Sequence, residues 1–113
     1  MAALVEKFEQ MLAAGKDSAL LRFSLGNEYL KSADFAAAIL HLKRALGHDP
    51  NYSAAWKLLG RAHSEAKHFQ AAVDAYLKGI EVAEKKGDIQ AVKEMRVFIK
   101  RAESQLSDST PRA

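Results

Sequence analysis

The chain is expected to be all-α, an array of antiparallel helix pairs, and three observations lead there. Apolar residues recur at helical spacing almost end to end. The pattern repeats when the chain is slid by 34 residues, the separation of Gly26 and Gly60. Turn signals fall between the periodic segments.

Helix one is expected at about residues 3–14, because Leu4, Val5, Phe8, Met11 and Leu12 share one face. Gly15 then offers a stop, and Asp17-Ser18 a new N-cap. Leu21, Leu25, Tyr29 and Leu30 mark helix two, which ends near Ala33-Asp34. Asp34 can cap helix three, carrying Phe35, Ala38, Ile39, Leu42, Ala45 and Leu46. Gly47 through Asn51 is the strongest turn signal, since Pro50 cannot donate within a helix and biases Asp49 away from the helical region. Helices four and five repeat the scheme with Trp56, Leu59 and Ala62-His63, then Phe69, Ala72, Val73, Tyr76 and Ile80. No proline interrupts helix five, so it should run longer, until Gly87-Asp88. A last helix from Ile89 to Leu106 stripes Ile89, Val92, Met95, Phe98, Ile99, Ala102 and Leu106 along one face and reads as a cap on the preceding pair.

The repeat itself rests on packing residues. The shift places Leu25-Gly26 on Leu59-Gly60, Phe35 on Phe69, Ala37-Ala38 on Ala71-Ala72 and Ile39 on Val73, while the charged residues between them differ. Only buried positions constrain residue type so tightly, so a common packing scheme with a free surface is implied. Shifted the other way, Leu4, Phe8 and Leu12 fall under Ala38, Leu42 and Leu46, making the first helix the second half of a repeat. One domain at 1–106 follows: a half repeat at 1–18, repeats at 19–52 and 53–86, a capping helix at 87–106, and a flexible tail at 107–113.

Composition excludes several function classes. Of 113 residues, 49% are apolar and 27% charged, which suits a packed core rather than disorder. Cysteine is absent, so disulfides, thiolate metal sites and cysteine nucleophiles are excluded. The N-terminal segment carries Glu6, Lys7 and Glu9 where a secretory signal needs an unbroken apolar run, and no window approaches a membrane span. A cytoplasmic location without membrane contact is therefore expected. The net charge of +3 is spread among interspersed acids and bases, too mild to imply nucleic acid by itself.

These residues resemble the tetratricopeptide repeat, with its W-x2-L-G-x2-Y, A-x3-F and terminal P pattern. Leu25-Gly26-x2-Tyr29, Ala38, Ala45 and Pro50 match in one register, and Trp56-x2-Leu59-Gly60, Ala72 and Tyr76 in the next. There His63 replaces the tyrosine, Gly79 the late alanine and Glu84 the proline. The layout is similar to small bacterial members of that family of unassigned role. The resemblance implies a right-handed superhelix whose concave face, formed mainly by the first helix of each pair, binds a peptide or protein segment. Carried onto this chain, that groove would present Leu20, Phe23, Asn27, Leu30 and Lys31 from the first pair and Ala54, Lys57, Arg61, Ser64 and Glu65 from the second. Apolar residues on one half and two bases on the other suit a ligand with an apolar anchor beside an acidic or C-terminal carboxylate. The chaperone-binding clamp of the family is not matched: Asn27 fits, but Phe23 stands for the first lysine and Leu58 for the second asparagine.

The expectation is thus a protein-binding adaptor, not an enzyme, with no cofactor. Competing readings are self-association into a homodimer through the uncovered first helix, and nucleic-acid binding through Lys93, Arg96, Lys100 and Arg101, where a solvated helix face is the blander reading. Trp56, Phe35, Phe69, Tyr29 and Tyr76 are expected in the core rather than on a ligand, and Arg22 is expected to snorkel at an edge. His41, His48, His63 and His68 do not share a helix face at metal-ligand spacing, so no metal is expected. No serine sits beside an oriented base.

Overall fold

The computed structural model describes residues 2–109, which form six α-helices and, among the described residues, no strand. They are α1 (Ala2–Ala13), α2 (Ala19–Lys31), α3 (Phe35–His48), α4 (Ser53–Glu65), α5 (Phe69–Lys86) and α6 (Ile89–Ser109). Each helix packs chiefly on its neighbours in sequence, α2 on α3, α4 on α5 and α5 on α6, with α3 against α4 joining the pairs. The result is elongated, 53 × 33 × 20 Å, as expected when each unit covers only the next.

The punctuation acts through identifiable hydrogen bonds. Ser18 Oγ accepts from the Leu21 amide at 3.1 Å, Asp34 Oδ1 from Ala37 at 3.2 Å and Asp88 Oδ1 from Ala91 at 3.0 Å, each satisfying a donor with no partner inside its helix. His68 occupies the place of Asp34 with nearly the same backbone (φ −92°, ψ 71° against −90°, 79°), yet its side chain makes no cap. Between α3 and α4, Asp49 is extended, as the residue before a proline must be, and its carboxylate accepts from the Asn51 amide at 3.0 Å. α5 runs 18 residues against 14 for α3 and stops at Gly87, whose φ of 73° is left-handed. α6 continues to Ser109, beyond Leu106 where the last helix is expected to end, and residues 110–113 lie outside the described residues.

The core has two parts. Leu30, Leu42, Leu46 and Leu59 pack around Ala38, Ala45, Ala55 and Ala62 in the first. Val73, Tyr76, Ile80, Val92 and Met95 pack around Ala72, Ala83 and Ala102 in the second. Small residues set the helix spacing. A methyl group on Gly26 would lie 2.6 Å from Leu42 Cγ, one on Gly60 would lie 2.4 Å from Tyr76 Cε1, and one on Gly79 would lie 2.5 Å from Met95 Sδ. Gly26 and Gly60 face the second helix of their own pair, so the motif glycines are contact points of the α-hairpin.

Candidate functional site

A groove of about 690 Å³ opens along the face where α2, α4 and α6 lie side by side. α4 supplies most of it, because Ala54, Lys57, Leu58, Arg61 and Ser64 recur every three or four residues and so share one side of the helix. α2 adds Phe23 and Asn27, α6 adds Glu94, Phe98 and Arg101, and Tyr76 of α5 forms part of the floor.

The floor is aromatic. Phe23 stacks on Tyr52 with centroids 5.0 Å apart, and Tyr76 meets Phe98 at 5.6 Å with the rings tilted by 42°. Burial pushes the Tyr76 hydroxyl up from its ordinary value, with Ser64 pulling the other way through a hydrogen bond. Charges line the rim. Lys57 Nζ reaches Glu94 Oε2 at 3.7 Å, tying α4 to α6, and Arg61 Nε lies 3.7 Å from Glu65 Oε2 one turn along. Both pairs are solvent-accessible, so each adds a few tenths of a kcal/mol at most and is readily exchanged for a ligand's charge. Arg101 lies over the Phe98 ring, its Cζ 5.8 Å from the centroid.

Of the residues expected in the groove, Phe23, Asn27, Ala54, Lys57, Arg61 and Ser64 come together. Leu30 does not: it belongs to the first part of the core and forms no part of the groove lining. Its place on α2 is one turn past Asn27, where the helix turns that side chain onto α3 and α4. Leu20, 66% exposed, lies off the groove wall, Lys31 pairs with Glu28 at the end of α2, and Glu65 flanks the groove through Arg61. Tyr76 was expected only in the core, yet it also floors the groove. The contribution of α6 was missed altogether. Reading α6 as the first helix of a further pair, rather than as a lid, would have directed Glu94, Phe98 and Arg101 inward, since they repeat at four and three residues. The basic stripe on α6 is divided: Arg96 faces Glu84 at 3.7 Å while Arg101 turns to the groove.

A second polar cluster joins α1 to the first pair. Arg22 does not snorkel. Its Nε and Nη2 donate to the two carboxylate oxygens of Asp17 at 2.8 and 2.9 Å, and this contact holds the Asp17 carboxyl well below the usual carboxylate range. Nη1 lies 3.1 Å from His41 Nδ1, and because a guanidinium only donates, Nδ1 carries the lone pair and the ring proton sits on Nε2. That Nε2 is 3.4 Å from Glu9 of α1, which also accepts from the Tyr29 hydroxyl at 3.1 Å. The Tyr29 and His41 rings are parallel at 5.4 Å. Burial pushes the His41 imidazole down, against the pull of Glu9. The remaining aromatics are structural: Trp56 Nε1 donates to the Pro50 carbonyl at 2.8 Å, and Phe35 and Phe69 pack against the two halves of the core. Among the described residues no group of three or more metal-ligating side chains converges, and no helix is long and apolar enough to cross a membrane.

Known proteins place this architecture. A family model described as tetratricopeptide repeat matches residues 29–95. A TPR repeat-containing protein of Pseudomonas aeruginosa is 47% identical over 98 residues, covering 87% of this chain and 93% of that one. The solution structure of a Bordetella parapertussis protein superposes with a TM-score of 0.82 at 41% identity, covering 96% of this chain and 95% of that chain. The solution structure of a tetratricopeptide repeat domain protein from Salinibacter ruber gives 0.70 at 27% identity, covering 76% of this chain and 87% of that chain. With the family model spanning more than half of its length, the paired small residues in contact and the helix pairs stacked, the chain belongs to the tetratricopeptide repeat family, whose members are generally protein–protein interaction modules.

Proposed function

We propose that the chain is an adaptor that holds a peptide or protein segment in the groove between α2, α4 and α6. The observation that carries this reading is a single concavity of about 690 Å³ combining an aromatic floor with a cationic rim. Burial of an apolar anchor on Phe23, Tyr76 and Phe98 would supply most of the affinity, and the bases would orient the segment. The groove is short, so an isolated peptide should bind with micromolar affinity or weaker.

Ala54 offers a clean test, because it is exposed and lines the groove without belonging to the core. Ala54→Trp should fill the cleft and abolish retention of a binding protein by the immobilised chain, with the melting curve unchanged. The charge reversal Lys57→Glu with Arg61→Glu should weaken the same complex. Full retention by both variants would show that binding occurs elsewhere.

A further inference from the structure

Three cations border the groove, but they are not equivalent. Lys57 is engaged with Glu94 and Arg61 with Glu65. No carboxylate of the described residues lies within ion-pair distance of Arg101, which rests its guanidinium against the Phe98 ring and is exposed to solvent. A guanidinium held on an aromatic face keeps its in-plane donors free, so it can take a carboxylate while the ring beneath takes an apolar group. The groove therefore contains one ready acceptor of negative charge, and it sits beside the aromatic floor formed by Phe98 and Tyr76.

We propose that Arg101 on the last helix is the carboxylate receptor of the groove, and that the segment bound there carries a large apolar side chain with a carboxylate within one residue of it. The inference rests on the groove being the binding site, and it goes further by naming the receptor and the ligand chemistry. α6 is then part of the binding surface rather than only a cover for α5. Lys57 and Arg61 contribute general attraction, since each must first leave an acid of this chain.

Three short peptides separate the possibilities: acetyl-Ala-Ala-Phe with a free C-terminus, acetyl-Ala-Ala-Phe-amide, and acetyl-Ala-Asp-Phe-amide. Each is titrated into the isotope-labelled full chain and followed by amide NMR. The expected result is perturbation at Phe23, Phe98 and Arg101 by all three, with at least one carboxylate peptide binding about two- to fivefold more tightly than the neutral amide, the scale of one solvent-accessible charge-assisted contact. Whichever carboxylate peptide shows the preference identifies the source, chain terminus or acidic side chain. In Arg101→Gln the carboxylate peptides should bind no more tightly than the neutral amide binds that same variant. Equal binding of all three peptides to the unaltered chain overturns the proposal but leaves the groove intact as a site. So does a preference that survives Arg101→Gln and disappears in Lys57→Gln or Arg61→Gln. Failure of every peptide to perturb the groove sinks the groove reading itself, and this proposal with it.

Discussion

Two glycine-to-alanine substitutions should move stability in opposite directions, and the packing around each says why. Gly60 is buried in α4, and a Cβ there would come within 2.4, 2.6 and 2.7 Å of Cε1, Cδ1 and Cζ of Tyr76. That is about 1 Å inside ordinary carbon contact distance. The Tyr76 ring is rigid, 3% exposed and backed by Phe98, so neither a rotamer change nor a small slide relieves the overlap. Overpacking of this kind costs about 3 kcal/mol at the upper end of its range, and the better helix propensity of alanine returns about 1 kcal/mol, leaving Gly60→Ala destabilised by about 2 kcal/mol. Gly47 also lies in a helix, near the end of α3, but nothing stands within 4 Å of its Cβ position. Gly47→Ala therefore keeps only the propensity term and should gain about 0.5 kcal/mol, reduced from the interior value by its place in the last turn. For a chain of this size the melting midpoints should fall by about 8 °C and rise by about 2 °C respectively. Urea denaturation followed by circular dichroism measures both free energies. If Gly60→Ala is as stable as the parent, Tyr76 is not wedged against α4, and the close approach of α4 to α5 is wrongly drawn.

Two further outcomes follow from caps and titrating groups. Asp34→Ala should cost about 1 kcal/mol through loss of the cap on Ala37, whereas His68→Asp should gain about 1 kcal/mol because the backbone there is already set for a capping carboxylate; differential scanning calorimetry that shows no gain for His68→Asp refutes the equivalence of the two turns. His41 and His63 are both pushed below the ordinary histidine value of 6.5, each chiefly by burial, and His63 is further lowered by Lys43 and His68. The unfolded chain then binds protons more readily than the folded one, so the stabilisation from these neutral rings is complete above pH 6.5 and is lost as pH falls through their lowered folded values. Asp17, also lowered, withdraws its contribution only below its ordinary value of 3.8. Urea midpoints should thus decline between pH 7 and pH 5, and a flat profile would count against the buried neutral imidazoles.

The sequence by itself determined the helices, their order and the pairing scheme. Those depend on local quantities: the spacing of apolar residues, the capping side chains of Ser18, Asp34 and Asp88, the proline at 50 and the glycine at 87. The recurrence of Leu25-Gly26 at Leu59-Gly60 carried the packing as well, because a residue without a side chain is required wherever another helix comes this near. Tertiary structure alone decided which of the expected groove residues stay out of the cleft and which others join it. Leu30 and Asn27 are neighbours on one helix, yet one enters the core and the other the cleft, and that depends on the angle at which α3 and α4 cross α2. Likewise Arg22, Glu9 and His41 come from three helices, and their mutual contacts could not be inferred from spacing on any one of them. Periodicity tells which face of a helix is apolar; only the rotation and offset of its neighbours tell which polar residues on the remaining faces meet, and that is why Glu94, Phe98 and Arg101 join the site through α6.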